Sequence, residues 1–233
     1  MTWHIDGWVI FADDVLLAIN KPAGLLSLPD GYRSELPHLR RVLEPHFGRL
    51  WIVHRLDKET SGVILLARTA EAHRRLNDAF AAREMSKVYH AIVAGAPAWE
   101  TRTVDWALRP NGDRRHRTVV DVRRGKPAVT RLIVLQRFRG RALVEARPES
   151  GRRHQIRAHL AAVGLPIVGD ALYRKKAGAI GAEGGADSDR LLPRLGLHAR
   201  EIEIMHPVTR ALLRLQAPYP PDFTAALERL RRT

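Results

Sequence analysis

The sequence predicts an α+β fold, with a largely antiparallel, mixed central sheet flanked by helices and loops. Three observations lead there. Short apolar runs of strand length outnumber helical periodicities, the two kinds do not alternate as parallel βαβ units would, and no internal repeat interrupts the chain. At 233 residues and 45% hydrophobic content there is enough apolar material for a sizeable core, and without a convincing linker residues 1–233 read as a single domain.

Taken in order, "WVIFA" and "VLLAINKP" are two strands parted by a turn at Asp13 and Asp14, the first a lead-in strand within about residues 1–12. "KPAGLLSLPDG" is a Gly/Pro loop, and "PHLRRVLEPHF" a short helix ending between Pro45 and Gly48. "LWIV" is a strand, "HRLDKETSG" a polar turn, and "VILLAR" a strand apolar at successive positions, which implies burial on both faces. "TAEAHRRLNDAFAARE" is a helix capped by Thr69, with Ala72, Leu76, Ala79 and Phe80 on one face. "KVYHAIVAG" alternates as a strand does. From Glu100 to Phe138 the chain is β-rich and basic, with "NGDRRHR" as a hairpin tip. "RALVEARPES" is a strand, and "GRRHQIRAHLAAVG" a helix running from Gly151, with Ser150 near its start and Gly164 just past its end. The Gly-rich, apolar-poor segment 174–190 reads as a mobile loop. Two strands, "LHAREIEI" and "ALLRLQAP", precede a terminal helix from Asp222.

Charge narrows the function. Lys+Arg 39 against Asp+Glu 25 gives a formal +14, which favours a polyanionic partner, although an Arg-rich compositional habit would give the same balance. There are no cysteines, hence no disulfide and no thiolate chemistry. The apolar runs are too short to cross a membrane, and the acidic N-terminus "MTWHIDGWVIFADD" lacks a secretory pattern, so a cytoplasmic protein is expected.

Metal and nucleotide chemistry find no anchor. His154 and His159 are five apart on the expected helix, roughly 140° apart around its axis, so they do not form a zinc pair. There is no HExxH, no GxxxxGK[ST], no GxGxxG after a strand and no GxSxG; no cofactor and no metal is expected. Asp57 stands out instead. It lies near Arg55 and Lys58, before the tight turn of Thr60, Ser61 and Gly62, and ahead of the buried strand. It fits either a turn residue paired with a cation or a fixed carboxylate nucleophile in an electropositive setting, and spacing alone leaves both open.

The motif "HRLDKETSGVILLAR" resembles that of the RluA family of pseudouridine synthases, which place an essential aspartate in an HRLDxxTSG setting. "SKVYHAIVAG" is similar to the family's second motif, "SGRRHQIRAHLAAVGLPIVGDALY" to its third, "LGLHAREIEIMHPVT" to the segment that completes its pocket, and "NKPAGLLSLP" to its opening loop. Together they run in order from Asn20 to Thr209. The chain departs in lacking a recognisable S4-like domain, and in having Arg153 where many members carry Thr or Ser.

The resemblance implies a pseudouridine synthase fold with an RNA-binding cleft, and an isomerase that converts uridine to pseudouridine in structured RNA, ribosomal or transfer, without a cofactor. It assigns Asp57 as nucleophile, on ribose C1′ or on the uracil ring, Arg157 as the guanidinium that pairs with it, and Tyr89 and Leu197 as the two sides of the base site. Arg55 would fill the space left by the flipped base. Lys21, Arg152, Arg153 and the run from Arg174 to Lys176 are expected at phosphates, with Arg153 and Arg157 sharing a helix face. A monomer acting on an RNA stem-loop, with no membrane partner, is expected. The alternative is an RNA-binding or RNA-folding protein on the same fold without turnover; the intact set of Asp57, Tyr89 and Arg157 argues against it.

Overall fold

The computed structural model describes residues 3–33, 35–174 and 191–232. In chain order the elements are β1 (Val9–Ala12), β2 (Leu16–Lys21), α1 (Leu39–Phe47), β3 (Trp51–Ile52), β4 (Ser61–Ala67), α2 (Ala70–Ala82) and β5 (Ser86–Ala94). There follow β6 (Thr101–Asp105), β7 (Leu108–Arg109), β8 (Val119–Val120), β9 (Val129–Phe138), β10 (Arg141–Pro148), α3 (Gln155–Ala162), β11 (Leu197–Met205), β12 (Leu212–Gln216) and α4 (Pro221–Arg231). The class is α+β, as the count and order of apolar runs predict. The chain divides into two compact units, Met1–Lys87 with Ala199–Tyr219 and Val88–His198 with Pro220–Thr233.

The first unit is built on β4. All seven of its residues are buried, which accounts for an apolar run without alternation. β2 pairs antiparallel with it, from Leu16 opposite Ala67 to Lys21 opposite Gly62, and β11 and β3 are its other neighbours. β1 extends the sheet beyond β2, and β12 pairs with β11. The β1–β2 turn forms because Asp13 Oδ1 accepts the N–H groups of Val15 and Leu16, at 2.9 and 2.8 Å. α2 starts where expected: Thr69 Oγ1 accepts the Ala72 N–H at 3.1 Å, and Ala72 and Leu76 are buried.

In the second unit β5, β10, β9 and β6 form an antiparallel sheet in that order. Its buried face joins Ala91, Val93, Leu132 and Val144 to Ile156 and Leu160 of α3. β7 and β8 pair as a separate hairpin with "NGDRRHR" at its tip, as the turn residues predict. α4 buries Phe223, and Asp222 at its start takes a two-pronged bond from Arg194, at 2.6 and 2.7 Å.

One helix begins later than the sequence suggests. α3 starts at Gln155, because His154 adopts a left-handed backbone (φ 52°) that breaks the helical path after Gly151. Gln155 replaces a conventional cap: its Oε1 accepts from Ser150 Oγ at 2.7 Å and from the Arg152 N–H at 3.1 Å, while its Nε2 donates to Val129 O and Thr130 Oγ1. Arg153 and Arg157 therefore do not share a helix face, since Arg153 precedes the helix.

Gly62, at the head of β4, has φ +115°, and a Cβ there would lie 2.2 Å from the backbone oxygen of Ala199 on β11. No side chain fits between these strands. Gly62→Ala is expected to lower the unfolding free energy by about 3 kcal/mol or more, through a forced separation of β4 and β11 added to an unfavourable φ. Urea denaturation followed by circular dichroism measures it.

Candidate active site

In the first unit, Asp57 is held by its two chain neighbours rather than by its own side chain alone. Leu56 is buried, and Ser27 Oγ serves both of its backbone groups, donating to the carbonyl at 2.9 Å and accepting the N–H at 3.1 Å. On the other side the Lys58 carbonyl accepts the Gly24 N–H at 2.8 Å and Lys21 Nζ at 3.1 Å. The Thr60 N–H closes the turn onto the Asp57 carbonyl at 3.0 Å. The opening loop "NKPAGLLS" thus clamps the backbone on either side of the acid, whose side chain is partly exposed.

Lys21 requires a correction. The sequence places it at a phosphate, but it is fully buried, and Nζ donates to the carbonyls of Pro22, Leu25 and Lys58, at 2.8, 2.9 and 3.1 Å. An ammonium has three protons, and here three backbone oxygens take them. It fastens the loop and does not face the solvent. Arg55 is exposed, one turn position before Leu56.

His54 fastens the same segment to β4. Its Nε2 accepts the Leu65 N–H at 2.9 Å, which places its proton on Nδ1, and its ring stacks on Phe80 at 4.7 Å. Desolvation, helped by the nearby Lys87, pushes its pKa down to about 3.

In the second unit, Tyr89 of β5 is partly buried against the same apolar cluster that holds Leu197 at the start of β11. Tyr89 lies opposite Ala146 of β10. Arg157 projects from α3. The helix is anchored by Gln155 and by His159, whose Nε2 donates to Trp106 O at 3.0 Å and whose Nδ1 accepts from Thr130 Oγ1 at 2.9 Å. These two residues are about 40° apart around the helix and Arg157 lies about 160–200° from both, so anchoring one face turns the arginine to the other. Its guanidinium is gripped by Asp170, Nε to Oδ2 and Nη2 to Oδ1, each at 2.8 Å, and the Asp170 side chain is fully buried. Sequence spacing carried no signal for this pair, although Asp170 sits inside the third motif.

The basic residues sort by partner. Arg152 Nε donates to Pro127 O at 3.3 Å, and the exposed Arg153 reaches Asn111 Oδ1 at the hairpin tip, at 2.8 Å. Arg174 is exposed; Lys175 and Lys176, with the expected mobile loop beyond them, lie outside the described residues. Nothing in the sequence singles out the hairpin as a binding element. Asp113 Oδ1 accepts the N–H groups of Arg115 and Arg117, and Oδ2 takes Arg117 Nε at 2.6 Å. Asp121 repeats the arrangement with the N–H groups of Arg123 and Arg124 and with Arg109 Nε at 2.6 Å. Backbone hydrogen bonds, from Arg117 and from Arg124 respectively, lead in lowering both carboxyl pKa values. With the acids used on their own turns, Arg114, Arg123 and Arg124 are exposed and meet no acid among the described residues.

His206 is used within the fold of the first unit. His206 accepts the Thr209 N–H through Nδ1 and donates from Nε2 to Asp13 Oδ2 at 2.8 Å. Among the described residues no group of three His, Asp or Glu side chains is placed to hold a metal ion, and no helix is long and apolar enough to cross a membrane.

Residues 15–162 match the family model for RNA pseudouridylate synthase. The chain belongs to the RNA pseudouridylate synthase family. It is 36% identical over 230 residues to ribosomal large subunit pseudouridine synthase D of Pseudomonas aeruginosa, covering 96% of this chain and 71% of that one. A dual-specificity RNA pseudouridine synthase RluA of Pasteurella multocida is 35% identical over 90% of this chain and 92% of its own. The fold is similar to that of human RNA pseudouridylate synthase domain containing 4, with a TM-score of 0.77, 28% identity, and coverage of 96% and 92% of the two chains. The resemblance to RluA-type enzymes therefore holds, and with it the activity of an RNA pseudouridine synthase, an isomerase acting on RNA.

His54 gives this synthase a defined acid sensitivity. Its pKa is about 3 when folded against about 6.5 when unfolded, so as pH falls below 6.5 the unfolded chain takes up the proton first. The stability that neutral His54 contributes is complete above about pH 6.5 and is lost progressively towards about pH 3. His54→Gln removes this titration, and the slope of unfolding free energy against pH between 6.5 and 4 is expected to become shallower by up to about 1.4 kcal/mol per pH unit. Denaturant titrations at stepped pH measure the slope.

Proposed function

We propose that this synthase isomerises uridine in the RNA of the large ribosomal subunit, with Asp57 as the nucleophile. The observation that carries the assignment is the clamp on Leu56 and Lys58, which fixes the backbone of one carboxylate from both sides. A nucleophile that must meet an extruded nucleoside gains from a backbone that cannot drift. The ribosomal substrate is supported by the name of the Pseudomonas aeruginosa relative, and transfer RNA is the competing substrate to be tested.

In this reading the N1–C1′ bond breaks, the uracil turns, and C5 rejoins C1′. The proton on C5 departs and N1 gains one, so the reaction is balanced without an outside reagent. Tyr89 and Leu197 flank the base, Arg157 serves the acid, and Arg55 takes the space from which the base has left. Its exposure leaves Arg55 able to move into a duplex. Arg152, Arg153, Arg114 of the β7–β8 hairpin, and Arg123 and Arg124 of the turn after β8 meet phosphates, whose charge their position suits.

Two measurements test this. With C5-tritiated transcripts, the wild-type chain is expected to release tritium from large-subunit RNA and Asp57→Asn to release none while binding RNA within about twofold of wild type; residual turnover of about a tenth or more would remove Asp57 from the nucleophile's role. Release from transfer RNA alone would overturn the ribosomal assignment. Replacing Arg114, Arg123 and Arg124 together by Gln is expected to weaken RNA binding and to reduce the slope of log affinity against log salt by about 2–3, in filter-binding titrations at stepped salt.

A further inference from the structure

Arg157 is held in place by a chain of contacts that ends in the basic hairpin. Asp170 binds its guanidinium through both oxygens, and Oδ1 also accepts the N–H groups of Leu172 and Tyr173, at 2.9 and 3.0 Å, so the carboxylate is fixed by its own turn. The guanidinium lies over the Tyr173 ring, 5.1 Å from its centre. The next three residues are gripped in register by the hairpin. Arg115 Nη2 donates to Ala171 O at 3.1 Å, and Arg117 Nη1 reaches Leu172 O at 3.5 Å. Tyr173 Oη accepts the Thr118 N–H at 2.9 Å and donates to Thr118 O at 3.0 Å.

On its other side the turn is closed by Gly169, where a Cβ would lie 1.9 Å from the Arg194 carbonyl. Arg194 is itself locked to Asp222, so neither flank of the turn yields. Burial raises the Tyr173 pKa, so its hydroxyl keeps the proton that it gives to Thr118. Every contact in this chain lies in the second unit.

We propose that Asp170 and Tyr173 are positioning residues for Arg157, and that the Arg115–Thr118 segment of the hairpin sets where they stand. The proposal rests on the role given to Arg157 above. It adds that the element offering arginines to RNA and the element holding the reaction's arginine are one connected body. A partly buried arginine with a two-pronged carboxylate and a ring beneath it has a single allowed position; removing either support leaves its charge in place but its direction loose. Loss of direction lowers the rate of the chemical step and leaves RNA affinity, which depends on exposed cations, little changed.

The test compares Asp170→Asn, Tyr173→Phe and Arg157→Ala in the full chain, by tritium release at saturating and limiting RNA, RNA binding, and thermal unfolding. Asp170→Asn is expected to lower kcat by about ten- to a hundredfold with KM and RNA affinity within about threefold. Tyr173→Phe keeps the ring under Arg157 and loses both bonds to Thr118; a kcat loss of about three- to tenfold, again without a KM change, is expected. If Asp170→Asn fails to fold, Tyr173→Phe decides by the same split. A folded Asp170→Asn with wild-type kcat overturns the proposal, as does a loss confined to KM. Arg157→Ala separates the two readings: if it keeps full turnover, the role of Arg157 itself fails, whereas its loss beside an active Asp170→Asn sinks only the positioning claim.

Discussion

A single buried ammonium group governs the acidic turn of this chain. Lys21 ends β2 inside the fold, and its three protons go to carbonyls of Pro22, Leu25 and Lys58. Taking an ammonium out of water is expensive, and only full satisfaction by oxygen atoms makes it tolerable. Two of those oxygens belong to the opening loop and the third adjoins Asp57, so one side chain makes the two segments a single object. An arginine would not fit the task, because a flat fork cannot converge on three carbonyls arranged around a point. Ser27 does the same work for Leu56 with one hydroxyl.

The second unit solves a similar problem with neutral groups. Gln155 and His159 bond one face of α3 to β9 and to the Trp106 carbonyl, and every polar atom named in that contact is matched. Desolvation lowers the His159 pKa, so it stays neutral as those bonds require. With one face spoken for, the helix has only one way to present Arg157. Both acid and arginine therefore stand on backbone that is restrained by side chains from elsewhere in the same unit.

Much of this was legible in the sequence. β4 announced its two-sided burial through an unbroken apolar run, α2 through Thr69 and its periodicity, and the hairpin tip through its turn residues. Three features were not legible, each for a physical reason. The resemblance puts Lys21 at a phosphate, where a lysine is ordinarily solvated, and nothing in a linear string reports that three carbonyls will converge on one. Helical periodicity starts α3 at Gly151, since it does not register one left-handed residue, His154, or a glutamine that folds back as a cap. The Asp170–Arg157 pair spans thirteen residues and a turn, beyond any helix or strand period. The roles proposed for Asp57, Tyr89 and Leu197 rest on family resemblance, since a partly exposed acid, a strand tyrosine and a buried leucine are each ordinary on their own.

The hairpin's economy of acids has a consequence for how such a surface can change over time. Asp113 and Asp121 are spent on capping their own turns, so losing either would unravel a loop as well as alter its electrostatics. Arg114, Arg123 and Arg124 take part in no capping bond through their side chains. They can be exchanged one at a time with little penalty to folding, so the grip on a polyanion proposed for them is a quantity that drift and selection can tune separately from the architecture that supports it.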